Sequence, residues 1–343
     1  VGGTDEIVGD NDGNAFTVSN NDAGDLPDKI NTAGRGATGF INVENLTGGA
    51  GVDTFTVDSL LVGDLDGRSG NDQFFFGATG SIGGTLIGGP GFDTLTGDDD
   101  GNLFNIEGNG ALSAIGKGTL VTKTSEFQDI ETLVGGAGPD TFSFNRLGSI
   151  IGTVDGAGGD NTLVGDDDGN NFTVSQPNAG LLSGKMTAFT NIQNLEGGAA
   201  NDTFNINSSI DGDVSAFVGD DSIIINTLGV VGGNVDAGAL DDFIEIRGRV
   251  IGNVDGGSQN DTIVFQNGSI VDGTVFGNTG DDLFSIRGVA TLGNTLMGDA
   301  GNDTFEFLNG SSINVMIDGG ADSDTIVGDD DGNVFTITGP DSG

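Results

Sequence analysis

The chain contains no cysteine, histidine, tryptophan or tyrosine, and only 10 of its 343 residues are lysine or arginine. Without cysteine there are no disulfides and no thiolate metal sites. Without histidine the commonest general base and the commonest zinc ligand are missing. So few basic residues exclude electrostatic binding to nucleic acid or to an anionic membrane surface. No apolar run approaches the roughly 20 residues that cross a bilayer. We therefore expect no membrane insertion and no enzymatic activity.

Acidic residues and glycine are abundant instead. The chain has 52 aspartates and glutamates, a formal net charge of −42, and 66 glycines. Charge of this size opposes any compact state by self-repulsion, so the chain is either disordered or takes up cations. Disorder is the poorer explanation, because 35% of the residues are hydrophobic and 22 are phenylalanine. The composition thus favours a folded chain that binds cations.

An internal repeat organises the sequence. Aligning on an Asp or Asn that we call the anchor gives steps of 19 or 21 residues in the C-terminal half, a period of about twenty. The seventeen anchors are Asp5, Asn14, Asp53, Asp72, Asp93, Asn102, Asp140, Asn161, Asn170, Asp202, Asp221, Asp242, Asp261, Asp282, Asp303, Asp324 and Asn333.

The residues after each anchor alternate in polarity. Two positions on, the side chain is apolar in all seventeen units, as in Phe55 and Ile244, and four positions on it is apolar again outside the tandem units, as in Val57 and Ile246. Alternation with period two predicts short strands. Strands this short need stacking to bury a core. The sequence therefore predicts an all-β fold, a single elongated parallel β-solenoid (a β-roll or β-helix) with coils of about twenty residues over 1–343.

Four places carry a variant that we call the acidic unit, at Gly9–Phe16, Gly97–Phe104, Gly165–Phe172 and Gly328–Phe335. Each places a second anchor, an Asn, nine residues after the preceding one. The repeat is broken after three of them, and we predict looser coils or side loops near 19–39, 105–126 and 175–188. Loops of this kind are the expected places for partner-specific contacts.

Three nonapeptides, Gly48–Thr56, Gly88–Thr96 and Gly135–Ser143, fit the pattern Gly-Gly-x-Gly-x-Asp-x-apolar-x. At these residues the chain resembles the RTX, or haemolysin-type, calcium-binding repeats. The resemblance implies that sixth-position carboxylates, together with backbone carbonyls of the glycine turns, ligate several Ca²⁺ ions. Calcium takes 6–8 oxygen ligands and tolerates irregular geometry. The larger pattern is similar to giant secreted bacterial surface proteins built from β-strand repeats, which implies an extracellular or cell-surface location.

The predicted metal ligands are the anchor aspartates and the aspartates of the acidic units. A competing interpretation is that Asp and Asn only cap turns by bonding their own backbone. If calcium binds, we expect it to line one edge of the solenoid. The predicted ligands are Asp53, Asp72, Asp93, Asp98, Asp100, Asp140, Asp166, Asp168, Asp202, Asp221, Asp242, Asp261, Asp282, Asp303, Asp324, Asp329 and Asp331.

The sequence from Asp324 to Ile337 repeats that from Asp5 to Val18, and Val1 is preceded by no initiator methionine or signal peptide. We therefore expect an excerpt, either one period of a longer array or a subunit that associates with copies of itself end to end or laterally. The leading hypothesis is an acidic, calcium-rigidified structural protein: a fibre, a biofilm-matrix filament or an adhesin stalk, with surface glycans as further partners. The alternative is an RTX-type secretion module of a larger effector or of a polysaccharide-active enzyme.

Overall fold

The computed structural model describes residues 3–26, 39–108 and 116–330, and every regular element in these ranges is a β-strand. The anchor Asn333 and the predicted ligand Asp331 lie outside the described residues, as do 27–38 and 109–115 of the predicted loops. By its contacts the chain divides into two compact units, residues 1–163 with 184–192, and residues 164–183 with 193–343.

The strands are short throughout. Up to residue 108 they are β1 Glu6–Val8, β2 Ala15–Asn20, β3 Ala23–Asp25, β4 Phe40–Ile41, β5 Asn45–Thr47, β6 Thr54–Val57, β7 Leu60–Leu61, β8 Leu65–Asp66, β9 Gln73–Phe76, β10 Ser81–Ile82, β11 Leu86–Ile87, β12 Thr94–Thr96 and β13 Leu103–Glu107. From 116 to 206 they are β14 Lys117–Leu120, β15 Thr124–Gln128, β16 Thr132–Gly136, β17 Thr141–Phe144, β18 Thr153–Ala157, β19 Thr162–Val164, β20 Asn171–Gln176, β21 Ala179–Leu182, β22 Ala188–Thr190, β23 Asn194–Gly198 and β24 Thr203–Ile206.

The remaining strands belong to the uninterrupted stretch of the second unit. They are β25 Ser209–Ile210, β26 Val214–Phe217, β27 Ser222–Ile225, β28 Val230–Val231, β29 Val235–Asp236, β30 Phe243–Ile246, β31 Arg249–Val250, β32 Val254–Ser258, β33 Thr262–Gln266, β34 Ile270–Val271, β35 Val275–Thr279, β36 Leu283–Arg287, β37 Thr291–Leu292, β38 Leu296–Ala300, β39 Thr304–Phe307, β40 Ile317–Asp318 and β41 Thr325–Val327.

From β24 to β38 each of five coils contributes one strand to each of three parallel sheets. The strands after the anchors pair in register (β24, β27, β30, β33, β36, β39, β41), and so do the return strands from β23 to β40. The short strands β25, β28, β31, β34 and β37 form the third sheet. The fold is therefore the predicted parallel β-solenoid, with coils offset by 19 or 21 residues.

The core is the stack of inward residues that the alternation predicts. From Phe16 to Phe305 the described residues two positions after an anchor are buried, whereas Ile7 in β1 is half-buried and Ile326 in β41 is 49% exposed. Like residues lie above one another, and the rings of Phe16 and Phe55 stack with centroids 4.8 Å apart. The Phe284 and Phe305 rings also stack at 4.8 Å. In-register pairing of identical units places large rings directly over each other, which fills the interior without helices.

The first unit shows that an acidic unit exchanges the roles of two sheets. Before the second acidic unit, the anchor strand β9 pairs with the anchor strand β12. After it, β12 pairs with the return strand β16, while the new anchor strand β17 pairs with β13. The nine-residue step is half a coil, so it moves the anchors to the opposite side. The expectation that the anchors line one edge is therefore wrong within this unit.

The three predicted irregular regions contain antiparallel hairpins. In the first three acidic units the strand after the second anchor pairs antiparallel with the next strand: β2 with β3, β13 with β14, and β20 with β21. Each hairpin contains or adjoins a residue at positive φ, for example Asp22, Thr122 or Gly184. These segments are thus paired strands added to the stack.

Candidate metal centre

The anchors lie inside the solenoid at the corner where each coil enters its strand. The ten anchor aspartates from Asp53 to Asp303 are between 0% and 3% exposed. Asp324, in the last described coil, is exposed. Burying a carboxylate without compensating bonds is costly, so the partners of each carboxylate oxygen decide what the anchor can do.

One carboxylate oxygen of every anchor from Asp53 onward serves a ladder between coils. The Asp202 amide N–H donates to Asp221 Oδ1 at 2.6 Å, the Asp221 N–H donates to Asp242 Oδ1 at 2.7 Å, and the pattern continues to Asp324. The first unit repeats the arrangement, with the Asp53 N–H donating to Asp72 Oδ1 at 2.7 Å. Oδ1 is therefore committed to the backbone of the preceding coil, which is a contact between coils and not a cap on the anchor's own turn.

The second oxygen divides the anchors into two classes. In Asp53, Asp140 and Asp202, the first aspartate anchors after an acidic unit, Oδ2 accepts the N–H of the glycine four residues earlier, at 2.7–2.9 Å. We call these satisfied anchors. In the other class Oδ2 is buried and has no hydrogen-bond partner, and we call these open anchors. The open anchors are Asp72, Asp93, Asp221, Asp242, Asp261, Asp282 and Asp303.

Backbone conformation four residues before the anchor accounts for the division. In every open anchor this residue has positive φ, between 69° and 106°. In the satisfied anchors it is Gly49, Gly136 or Gly198, none of which has positive φ. A positive φ turns the peptide plane, so that its N–H no longer points at Oδ2. In the Asp72 coil, for example, the Arg68 N–H donates to Asp66 Oδ1 at 2.9 Å instead.

A small residue five positions before the anchor makes room for Oδ2. A Cβ atom at Gly277 would lie 2.2 Å from Asp282 Oδ2 and 2.8 Å from the carbonyl oxygen of Gly298 in the next coil. A Cβ at Gly67 would meet Asp72 Oδ2 at 2.4 Å and the Gly88 carbonyl at 2.8 Å. Each such place therefore brings one carboxylate oxygen and one backbone carbonyl of the next coil towards the same point.

Burial dominates the ionisation of the open anchors. Desolvation raises the pKa of Asp72, Asp221 and Asp282 to about 6, more than the hydrogen bond to Oδ1 lowers it. The pKa of Asp93 and Asp242 rises to about 7 for the same reason, with neighbouring anchor charges adding to the effect. Asp261 reaches about 8. Near neutral pH a proton and any other cation therefore compete for these carboxyl groups.

The predicted ligands in the acidic units have other surroundings. Asp98 and Asp166 are buried, and each accepts the N–H two residues on through Oδ1, from Asp100 at 3.2 Å and Asp168 at 3.1 Å. Asp100 and Asp168 are themselves exposed. Asp329 Oδ2 accepts the Gly310 N–H at 2.6 Å.

Two functional residues escape the sequence pattern. Glu131 follows Asp93 in the ladder, with its Oε2 accepting the Asp93 N–H at 2.7 Å, although it is no anchor by spacing. The hairpin before Glu131 takes the place of half a coil, so the ladder continues at a residue that the spacing of the anchors does not mark. Lys123 is 6% exposed and ion-pairs with Asp98. Neither residue is marked by the twenty-residue period.

The oxygen atoms at the open anchors suit calcium in kind, since carboxylate and carbonyl oxygens are its ligands. Within the described ranges no three acidic side chains come together in a way that could hold a metal ion. A calcium ion at an open anchor would therefore take Oδ2 from a single carboxylate, and backbone carbonyls and water would supply its remaining ligands. Also among the described residues, no helix is long and apolar enough to cross a membrane.

Comparison with known proteins adds little to this geometry. No protein-family model matches the chain, and no curated protein does. Among solved structures, a hyperactive, Ca²⁺-dependent, β-helical antifreeze protein from an Antarctic bacterium is similar over 77% of this chain and 68% of its own length. The sequence identity is 22% and the TM-score is 0.32. Similarity at this level carries no argument about the role of this chain.

Proposed function

We propose that the chain is a non-catalytic, extracellular structural repeat protein that calcium rigidifies, acting as a fibre, matrix filament or adhesin stalk. The observation that carries the proposal is two rows of buried Oδ2 atoms without a partner, on the successive coils of Asp72 and Asp93 in the first unit and of the five anchors from Asp221 to Asp303 in the second. Buried polar atoms are nearly always satisfied in native proteins. A repeated exception in one position indicates a ligand rather than a local defect.

A divalent cation is the ligand that these positions favour. At Asp72, Asp282 and Asp303, Oδ2 and a carbonyl oxygen of the next coil approach the same point, as Asp282 Oδ2 does with the Gly298 carbonyl. A formal net charge of −42 attracts cations to the whole chain. Calcium bound between two coils would join them through oxygens of both and would reduce the repulsion between neighbouring anchors. The stack would then stiffen without any contribution from disulfides.

The RTX-like interpretation is retained here as part of the proposal, with a narrower set of ligands. We assign the ligand role to the open anchors, because both oxygens of Asp53, Asp140 and Asp202 already accept backbone N–H groups. We also propose association with copies of itself, end to end or laterally, since a coil at the end of a stack offers unpaired strand edges to a further coil. Surface glycans remain proposed partners.

The test compares two triple variants of the full chain. In the first, the open anchors Asp221, Asp242 and Asp282 become asparagine. In the matched control, the preceding exposed residues Asp220, Asp241 and Asp281 become asparagine, which removes the same three charges from the same corner of the same coils. Calorimetric titration with calcium gives the number of ions bound, and thermal unfolding with chelator and with millimolar calcium gives the stabilisation.

We expect the wild type and the control to gain similarly in Tm on calcium addition, and the anchor variant to bind fewer ions and gain less. Each site that is lost removes about 2.7 kcal/mol of stabilisation at a calcium concentration one hundred times its Kd. Equal losses of bound calcium ions and of Tm gain in the two triple variants would show that calcium binds diffusely to the acidic surface and not at the open anchors. A Tm that calcium leaves unchanged would reject the proposed function. Sedimentation velocity on the same samples tests self-association.

A further inference from the structure

Lys123 occupies an unusual position for a lysine. Its side chain is 7% exposed and its Nζ forms an ion pair with Oδ2 of Asp98, whose side chain is 6% exposed. The same Nζ donates to the carbonyl oxygens of Gly77 at 3.0 Å and Ala78 at 2.9 Å. The other oxygen of Asp98, Oδ1, accepts the Asp100 N–H at 3.2 Å. Both oxygens of this buried carboxylate are thus committed to partners within the chain.

Three separate segments meet at this ammonium group. Gly77 and Ala78 form the turn after β9, Asp98 belongs to the second acidic unit, and Lys123 lies between β14 and β15 of the added hairpin. The backbone supports the same junction, because the Lys123 carbonyl accepts the Ile82 N–H at 2.6 Å. Lys123 therefore fastens the hairpin to the coil on which it lies.

The same lysine recurs after each acidic unit that a hairpin follows. The sequence Leu-x-x-Lys stands at Leu26–Lys29, Leu120–Lys123 and Leu182–Lys185, which accounts for three of the four lysines in the chain. The leucines are equivalent where described: Leu120 pairs with Phe104, and Leu182 with Phe172. Lys29 lies outside the described residues.

Lys185 repeats the contacts of Lys123 within the first unit. Its Nζ donates to the Arg146 carbonyl at 3.1 Å, in the turn after β17 that corresponds to Ala78 after β9. Its own carbonyl accepts the Ile150 N–H at 2.8 Å, as that of Lys123 accepts Ile82. A half-buried lysine in a second hairpin thus repeats one contact of the Lys123 ammonium group and one of its backbone.

We propose that Lys123 is a built-in counter-ion. It neutralises the first aspartate of the preceding acidic unit and locks the added hairpin onto the stack. Asp98 is then an ion-pair partner of Lys123 rather than a calcium ligand, and the point where the anchors change sides is held without metal.

The experiment is a double-mutant cycle on the full chain in chelator, so that its result does not depend on the calcium proposal. The variants are Lys123→Met, Asp98→Asn and the two combined. Methionine keeps the length of the apolar stem and removes the charge. Lys117 and Glu126 form an ion pair of 2.9 Å in the same hairpin with side chains 28% and 39% exposed, and a cycle on this pair is the matched control.

We expect Lys123→Met to lower Tm far more than Lys117→Met, because it leaves a buried carboxylate without a counter-ion. The combined variant should be more stable than Lys123→Met alone. Asp98→Asn should leave the number of bound calcium ions unchanged in a separate titration. Equal Tm losses for Lys123→Met and Lys117→Met would overturn the proposal, as would the loss of one calcium ion in Asp98→Asn. If Lys123→Met does not fold, the Tm of the combined variant and the number of calcium ions bound by Asp98→Asn still test the proposal.

Discussion

The coil that follows an acidic unit and the coils farther along the stack accommodate the buried Oδ2 of the anchor in two ways. In the first, the glycine four residues before the anchor donates its N–H to Oδ2, as Gly198 does to Asp202 at 2.7 Å. In the later coils that residue has positive φ and Oδ2 has no partner, as in Asp261. The same carboxylate is therefore complete within the protein in one place and incomplete in another. A single backbone rotation decides whether an aspartate is a structural acceptor or a candidate ligand.

Asn161 shows what the chain does when no ligand is needed. It stands at an anchor position, its Oδ1 accepts the Asp140 N–H at 2.8 Å, and its Nδ2 donates to the Gly158 and Asn191 carbonyls at 3.0 and 2.9 Å. An amide in place of the carboxylate thus satisfies both the ladder and the carbonyl oxygens nearby. Aspartate at the open anchors lacks this satisfaction unless a proton or a bound cation supplies it.

We expect pH to have the largest effect on the difference between the two classes of anchor. In chelator, we expect the free energy of unfolding to fall as pH rises from about 4 to about 8. The open anchors have raised pKa values, about 6 for Asp72 and about 8 for Asp261, so the folded state holds their protons where the unfolded state has lost them. Their contribution is complete below the unfolded pKa near 3.8 and is lost as pH rises through 6–8.

Six open anchors with pKa values of 6–8 contribute together, so the total change is on the order of several kcal/mol. Urea midpoints measured between pH 4 and pH 8 check it. A midpoint that rises over this range would show that the open anchors are not protonated in the folded state. Asp281, whose pKa is lowered by hydrogen bonds from Asn302, acts in the opposite sense only below its unfolded pKa of 3.8.

Exchanging aspartate for asparagine should have opposite signs in the two classes. Asp202→Asn replaces an oxygen that accepts the Gly198 N–H by a donor, and we expect a loss of about 1–3 kcal/mol. Asp261→Asn imitates Asn161 and removes a buried charge, so it should stabilise the chelated protein above pH 8. Urea unfolding of both variants in chelator measures the difference. Two changes of the same sign would mean that the partners of Oδ2 do not distinguish the classes.

The smallest expected effect concerns the backbone rotation itself. Phe217 has φ of 75° four residues before Asp221, a conformation that costs a non-glycine residue of order 1 kcal/mol. Its side chain is 48% exposed, so Phe217→Gly should relieve strain and raise the Tm of the chelated protein slightly. Phe75→Gly is the control, because Phe75 is a comparably exposed phenylalanine that is not among the residues with positive φ. A larger loss in Phe217→Gly than in Phe75→Gly would contradict the explanation.

The features that depend on the period of about twenty residues could be predicted from the sequence. The strand after each anchor, the inward position of residues such as Phe204 and Ile244, and the stacking of coils all follow from alternation and repetition. The division into open and satisfied anchors does not, because it depends on φ at a position held by Arg68, Gly89, Phe217 and Asn278 alike. No residue type marks that conformation.

The exchange of sides could have been read from the sequence and was missed. An Asn nine residues after an anchor is half a coil away, which places it on the opposite side of a two-sided turn. The ion pair of Lys123 was beyond prediction from spacing, because Lys123 and Asp98 are separated by a hairpin whose pairing sets their approach. Tertiary pairing, not local pattern, brings these two charges together.

The ladder along the anchors has a direction, and that direction bears on how such a chain changes length over generations. Each anchor gives its N–H to the coil ahead and takes one from the coil behind, from Asp202 to Asp324. A coil that unequal recombination duplicates or deletes leaves its neighbours with the same donors and acceptors. Asn170 instead begins a ladder, since its Oδ1 accepts the Asp166 N–H of its own turn. A whole coil can therefore be added or removed between two acidic units without leaving an anchor of the ladder unpaired.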